Sequence, residues 1–466
     1  MERRDASSGF SSRRRLRWRL SIVVLALAGL VAVGVAQGQR GGTAAAHKAS
    51  ACPFKGGTIR AFMAQDLKAV IGEEIGPAGL RAAQVWTTYT NSHGGILGCK
   101  FAIDAKDETF GDIPAGLRTY RDAIASKKYN FILGPTNSAL MAALPDLTNA
   151  AGLPIISGIA ADHQPFFEKF KPLNFHASVS TFLEGRASAV ALKKLGCKSV
   201  ASMVPNYAYG QDAGKAMKQY FQAIVAGGKV VNEQFPEFNE SNFTPFINAM
   251  VGAHADCIFS AFFGPFVVPF WKQWHASGND QKIKAITGLN ILATFVVVKD
   301  ASEIPAYTYG YNRADWQLLG KTKIGAALSK LYLQRFGSDH PIVSEFAFQI
   351  FSSLQMAKGM IEKSHSLAGK AWKATVEKGN FSFDSPYHSG PSYVDPVNHM
   401  VNSCASVGKV VWNPSLPIHA AYDPKTFIIS CMNDVLHSNE VRYLTKNPDV
   451  TPNAIATYYK LSAKVK

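Results

Sequence analysis

Gly134-Pro135-Thr136-Asn137-Ser138 follows the short apolar run Phe131–Leu133 and leads into a segment with helical spacing. A strand that ends in a helix start, here at Asn137 and Ser138, brings free N–H groups and a hydroxyl to the carboxyl edge of a parallel sheet, where small anions and polar groups dock. That is recognition chemistry. The patterns of bond-making chemistry are missing: no G-x-S-x-G, no H-E-x-x-H and no complete phosphate loop occurs, and Gly320-Lys321-Thr322 lacks the upstream glycine because Asp315 stands there. Asp104, Asp107 and Glu108 read as solvated charges at a strand end rather than an acid/base set. His163, His176, His254 and the other histidines are scattered without metal-ligand spacing. Neither catalysis, a cofactor nor a metal is expected.

The elements that must hold such a site alternate. Strands are predicted over Thr58–Ala64, Lys100–Lys106, Phe131–Leu133 and 153–157, with helices over Ala78–Asn91, Ala115–Ser126 and 139–151 between them. The rhythm then restarts. Phe182–Leu195 is predicted helical, Ser199–Val204 a strand that ends at Asn206-Tyr207-Ala208-Tyr209-Gly210-Gln211, and 212–226 a helix closed by Gly227-Gly228. Lys229–Gln234, Cys257–Ala261 and Lys284–Ile286 continue a second sheet, with Phe243–Gly252 and Pro265–Ser277 as its helices. Alternation of this kind gives parallel sheets with helices on both faces. The fold class is α/β, with two doubly wound parallel-sheet lobes joined by a multi-strand hinge.

Residues 322–336 and 342–364 form long amphipathic helices without intervening strands, so they are expected to return to the first sheet. The limits are 1–36 for a signal peptide, 37–54 for a linker, 55–176 plus 312–385 for lobe 1, 177–311 plus 386–435 for lobe 2, and 436–466 for a C-terminal extension. Crossings near Phe175–Ser178, Tyr309–Asn312 and Ser385–Tyr393 would make a hinge, and a hinge between two open lobes makes a closing cleft.

Five arginines between Arg13 and Arg19 precede an uncharged apolar run from Leu20 to Ala36, the pattern of an export signal, retained as an anchor or cleaved. Seven arginines against Glu2 and Asp5 in residues 1–36 supply +5 of the formal charge of +16. The remaining excess is dispersed, unlike the clustered stripe of a nucleic-acid binder. Six cysteines in an exported chain read as disulfides. In a doubly wound sheet the first strand neighbours both the second and the third, which favours pairing Cys52 with Cys99 and Cys197 with Cys257. Cys404 and Cys431, close together near the carboxyl end, form the third pair.

In order along the chain, Gly76-Pro77-Ala78-Gly79, Asn91–Gly98, Gly134–Ser138, Gly152–Ser157 and Tyr209-Gly210-Gln211 resemble the type I periplasmic binding proteins, and specifically the branched-chain amino-acid binding family that feeds ABC importers. The resemblance covers roughly residues 55–400. It implies ligand contact by Ser138 and by Ile159, Ala160 and Ala161, with Tyr209 facing the ligand from the other lobe. Phe263 falls where the family often has tyrosine, Asn290 falls near its ammonium-pairing acid, and Ala161 replaces a frequent threonine. A buried ammonium without a carboxylate partner costs several kcal/mol, so an ordinary amino acid is not the expected ligand.

Phe263 and Phe266, at a strand-to-helix turn, are the aromatics expected at the cleft, while Phe262, Phe270, Trp271 and Trp274 fit core packing. An apolar or aromatic ligand fits best. Ser138 serves equally well as a helix cap, Tyr209 as an interlobe packing residue, and Asn290 as the cap of a helix from Ile291. The expected role is an extracytoplasmic solute-binding protein, periplasmic or secreted, acting as a monomer with an ABC permease and its ATPase. The alternative is an exported ligand sensor coupled to a signalling partner.

Overall fold

The computed structural model describes residues 51–290, 292–313, 322–386 and 391–431. The expected signal peptide, most of the linker and the C-terminal extension lie outside these residues. No described helix is long and apolar enough to cross a membrane.

The first half of the chain builds β1 (Thr58–Gln65), α1 (Gly76–Ser92), β2 (Lys100–Asp107), α2 (Ile113–Ala125), β3 (Phe131–Leu133), α3 (Ser138–Ala150), β4 (Ile155–Ser157) and β5 (Asn174–His176). Its five strands run parallel in the order β2-β1-β3-β4-β5. β3 and β4 are fully buried, which is why their sequences are uninterrupted apolar runs rather than alternating ones.

The second half builds α4 (Thr181–Lys194), β6 (Ser199–Met203), α5 (Ala208–Ile224), β7 (Lys229–Gln234), α6 (Thr244–Gly252), β8 (Cys257–Ser260), α7 (Val267–Ala276), β9 (Ala285–Asn290), α8 (Leu292–Phe295) and β10 (Thr308–Asn312). The strands repeat the winding of the first sheet as β7-β6-β8-β9-β10. Returning helices α9 (Lys323–Phe336), α10 (Glu345–Ser364) and α11 (Gly369–Glu377) follow, then the antiparallel pair β11 (Ser382–Asp384) and β12 (Pro391–Tyr393). α9 and α10 pack against α1, and α11 and β11 pack against α10.

β13 (Cys404–Trp412) joins β10 antiparallel and carries β14 (Ala420–Tyr422) and β15 (Ile428–Cys431), so the second sheet is mixed at this edge. The third crossing also falls later than the sequence implied. Because β12 pairs with β11 beside α10, the chain stays with the first sheet until Tyr393. Residues 394–403 then return past the first crossing, where the His176 N–H donates to the His399 carbonyl at 3.0 Å and the Val401 N–H donates to the His176 carbonyl at 2.8 Å.

Apolar packing continues from β1 across the crossings to β6, while Phe243, Phe262, Phe270, Trp271 and Trp274 fill a second cluster on the outer side of the second sheet. Disulfides join Cys52 to Cys99 and Cys197 to Cys257, across sequence separations of 47 and 60 residues. Closing loops of this size is worth about 4 kcal/mol each in chain entropy. Cys404 is also disulfide-bonded and lies opposite Cys431 in the β13–β15 register.

Candidate functional site

The turn after β3 is built from below by groups that the sequence places far apart. The Thr136 hydroxyl donates to Gln65 Oε1 at 2.8 Å and accepts from the Asp66 N–H at 3.2 Å, while its own N–H donates to Glu108 Oε2 at 2.9 Å. Glu108 is therefore not a solvated edge charge. It is fully buried, burial pushes its carboxyl well above the usual range, and it acts as a strut under the turn. Asp104, in contrast, is exposed.

Asn137 is the cap of α3: its Oδ1 accepts from the N–H groups of Ala139 at 2.8 Å and Leu140 at 3.4 Å. Its side chain is thereby committed to the helix and does not line the cleft. Ser138, one residue on, is relieved of capping, and among the described residues no hydrogen bond uses its hydroxyl. After β4 the Ser157 hydroxyl donates to the Ala160 carbonyl at 2.8 Å, and the Ala160 N–H donates to the Pro135 carbonyl at 3.2 Å. These bonds turn Ala160 away and leave Ile159 and Ala161 at the surface of the cleft.

From the second sheet come Tyr207 and Tyr209. α5 begins at Ala208, four residues before the predicted start, so Tyr209-Gly210-Gln211 forms its first turn rather than a loop. Glycine at 210 permits this, because a Cβ there would lie 2.1 Å from the Pro205 carbonyl oxygen. Phe263 follows β8 and stands edge-on to Tyr209, with ring centroids 5.6 Å apart. Phe266 does not reach the cleft. Its ring packs on Phe238 at 4.3 Å, because the residues from Gly264 already form a helical turn that carries it outward.

Ile71, Ile75, Thr136, Ser138, Ile159, Ala161, Tyr207, Tyr209, Phe263, Arg313 and Phe346 enclose one cavity between the sheets, of only about 20 Å³. That is room for about one water molecule. The lobes are closed upon each other: a Cβ at Gly264 would lie 2.8 Å from the Ile71 carbonyl oxygen. Asn290 ends β9 opposite Tyr311, and its side chain lies outside the described residues.

Arg313, just past β10, is the cavity residue that the sequence reading missed. Its Nε donates to Glu184 Oε1 at 2.6 Å, and its Nη1 donates to the Ile159 carbonyl at 2.6 Å and to Gln349 Oε1 at 3.4 Å. The guanidinium sits between the rings of Tyr209 and Phe346, at 5.9 and 5.7 Å. Burial pushes the Glu184 carboxyl up, against the pull of Arg313, and burial of Arg313 is more than offset by Glu184, which keeps the guanidinium charged. The available signal was a lone cation directly after Tyr309-Gly310-Tyr311-Asn312, at a predicted crossing.

Beside this cavity a second buried cluster bridges the sheets. His163, after β4, meets Asp212 of α5 with Nδ1 2.6 Å from Oδ2, and the Thr181 hydroxyl donates to the same oxygen. Burial alone would lower the His163 pKa, but Asp212 outweighs it and holds it up at about 10. His163 is thus a buried imidazolium satisfied by Asp212. His176 is buried too and stays neutral, driven down to about 3 by burial and then by Arg313. Among the described residues two groups are close enough to share a cation, Cys197 with Asp256 and Cys257, and Asp162 with His163 and Asp212. The first has its sulfurs in a disulfide, and in the second His163 and Asp212 bond each other.

Two wound sheets, three crossings and a cavity shared between the sheets define a two-lobed binding protein. A family model described as periplasmic binding protein matches residues 63–414, and the chain belongs to that family. Among curated proteins none matches the chain. Among solved structures, it is similar to a solute-binding protein of an ABC transporter from Rhodopseudomonas palustris HaA2 in complex with p-hydroxybenzoic acid, with 18% identity, a TM-score of 0.67, and 80% of this chain and 98% of that one covered. A solute-binding protein from R. palustris in complex with benzoate gives 17%, 0.66, 80% and 97%. A branched-chain amino acid transporter protein from R. palustris CGA009 gives 17%, 0.63, 79% and 96%. The likeness to these structures is one of fold.

Proposed function

We propose that this protein is the extracytoplasmic solute-binding component of an ABC importer, which closes its lobes on a small solute with an apolar or aromatic body and hands it to a permease coupled to an ATPase. It works as a monomer at the cell envelope and leaves the solute chemically unchanged. One observation carries the reading: a cavity between two hinged lobes takes its aromatic walls, Tyr207, Tyr209 and Phe263 against Phe346, from both sides. Two of the structural relatives hold benzoate or p-hydroxybenzoic acid, solutes that such walls suit.

The closed cavity, about 20 Å³, is far smaller than a ring-bearing solute, so entry requires the lobes to part. A solute then shifts the equilibrium by the difference in its affinity for the two forms. Thermal-shift and native mass-spectrometric screening test this with benzoate, 4-hydroxybenzoate and leucine. Aromatic acids should raise the melting temperature and appear as one-to-one complexes that are recovered unchanged. A clear preference for leucine, or conversion of a bound compound, would overturn the reading.

A further inference from the structure

The geometry points to an anion as the ligand, a carboxylate on an apolar body, with Arg313 as the residue that selects it. This inference rests on the solute-binding reading above and adds the charge of the solute.

A guanidinium has five N–H donors in a fixed plane. In Arg313 the Nε donor is taken by Glu184 and those of Nη1 by the Ile159 carbonyl and Gln349 Oε1. Among the described residues no hydrogen bond uses Nη2. The plane cannot swing to find other partners, because Tyr209 and Phe346 flank it and both are walls of the cavity that Arg313 lines. The unengaged Nη2 donors, charged and immobilised, match an anionic carboxylate oxygen better than a neutral acceptor.

The remaining polar lining supports the same sign of charge. The Thr136 hydroxyl is already engaged by Gln65 and Asp66, and the Tyr209 hydroxyl lies 3.3 Å from that of Tyr311. Among the described residues the hydroxyls of Ser138 and Tyr207 are unengaged and can donate to an anion. Among the described residues no carboxylate lines the cavity, and the nearby Glu184 is bonded to Arg313 Nε. An ammonium entering this space would meet a fixed cation, while the buried Glu184 and Glu345 that act on that cation do not line the cavity, so a zwitterionic amino acid is disfavoured by the same group that holds an acid. The neutral Glu184–Arg313 pair keeps the cation in place without the cost of an isolated buried charge.

The test is a set of isosteric solutes that differ only in charge: benzoate, benzamide and benzylamine, with 4-methylpentanoate, 4-methylpentanamide and leucine as an aliphatic set, titrated calorimetrically into the full exported protein. The acid of at least one set should bind about 10- to 100-fold more tightly than its amide, the range expected when a charged hydrogen-bond pair is lost. The amine and leucine should bind more weakly still. In the double variant Glu184→Gln/Arg313→Gln, which removes both charges together, the acid-to-amide ratio should fall to near one. An amide or amine that binds as well as its acid would overturn the assignment and leave the solute-binding reading standing. A ratio that survives in a folded double variant would overturn the role of Arg313. If no solute of either set binds, the solute-binding reading fails and takes the inference with it. Should the double variant not fold, the wild-type ratios alone decide the charge of the ligand.

Discussion

The two walls of the cleft are made on opposite principles. The turns of the first sheet offer mostly small groups, Thr136, Ser138 and Ala161 beside Ile159, held from beneath by Gln65, Asp66 and the buried Glu108, with one ring, Phe346, added from α10. The second offers bulk and charge: Tyr207, Tyr209 and Phe263 at its sheet edge, and Arg313 locked to Glu184. A wall of small groups sets where a solute can lie, whereas a wall of rings and one cation sets which solute is kept. The same winding order in both sheets thus carries unlike tasks, and the contacts that join the walls are where the difference can be tested.

The most consequential of those contacts is His163 with Asp212, because both groups are buried and one comes from each wall. The sign follows from the imidazole, held up at about 10 against an ordinary 6.5. Stability from this pair is complete below about pH 6.5 and is lost as the pH rises through 10. Asp162, pushed up by burial and by Asp212, works in the same direction, since its ionisation sets a second negative charge beside Asp212. Asp212 is held low by His163 against the effect of burial, so its own loss belongs to strongly acid solution. The melting temperature should therefore be highest in mildly acidic buffer and fall by roughly 5 °C or more between pH 7 and 10. His163→Gln should melt lower at pH 6 and show a flatter profile. A wild-type profile without slope above pH 7 would remove the pair from the joint.

Next in size is Gly264, which sits at φ +59° with the Ile71 carbonyl of the other wall directly where a side chain would begin. Gly264→Ala pays about 1–2 kcal/mol for the left-handed backbone in any state of the protein. Only the closed form adds the 2.8 Å contact with Ile71. Solute affinity should accordingly drop about tenfold or more, because the competent form is populated less, while unfolding stability changes by no more than the backbone term. Small-angle scattering with solute present would show the variant more open than the wild type. Equal affinity in the two proteins would mean that the walls need not come this close.

How much of this was legible beforehand differs between the walls. The turn at Asn137-Ser138 and the strands around it could be read because they depend on neighbours in sequence: an apolar run, a Gly-Pro turn and a capping residue. Arg313 could not, since its value comes from β10 landing beside β9 and from α10 bringing Phe346 and Gln349 to it, pairings hidden from local patterns. Glu108 was misjudged for a related reason. The alternation of β2 places charges on its outer face, but the chain turns directly after Asp107 and tucks the next carboxyl beneath Thr136. Phe266 was assigned to the cleft by its place in a strand-to-helix turn, and one early helical turn was enough to rotate it into the packing around Phe238.

The finest distinction lies within the first wall, between adjacent residues of nearly equal burial. Asn137 and Ser138 are 4% and 3% exposed, yet one side chain is spent on the helix and the other on no hydrogen bond among the described residues. Asn137→Ala should cost about 1 kcal/mol of stability, the usual loss when a cap is removed. Any change in affinity should then be secondary. Ser138→Ala should leave denaturant unfolding within about 0.5 kcal/mol of wild type, since no hydrogen bond among the described residues is broken. Its solute affinity should still fall several-fold through one lost donor. Measuring both quantities for both variants separates scaffold from contact. If Ser138→Ala loses stability instead of affinity, the small-group wall is scaffold throughout, and recognition belongs to the aromatic and cationic wall alone.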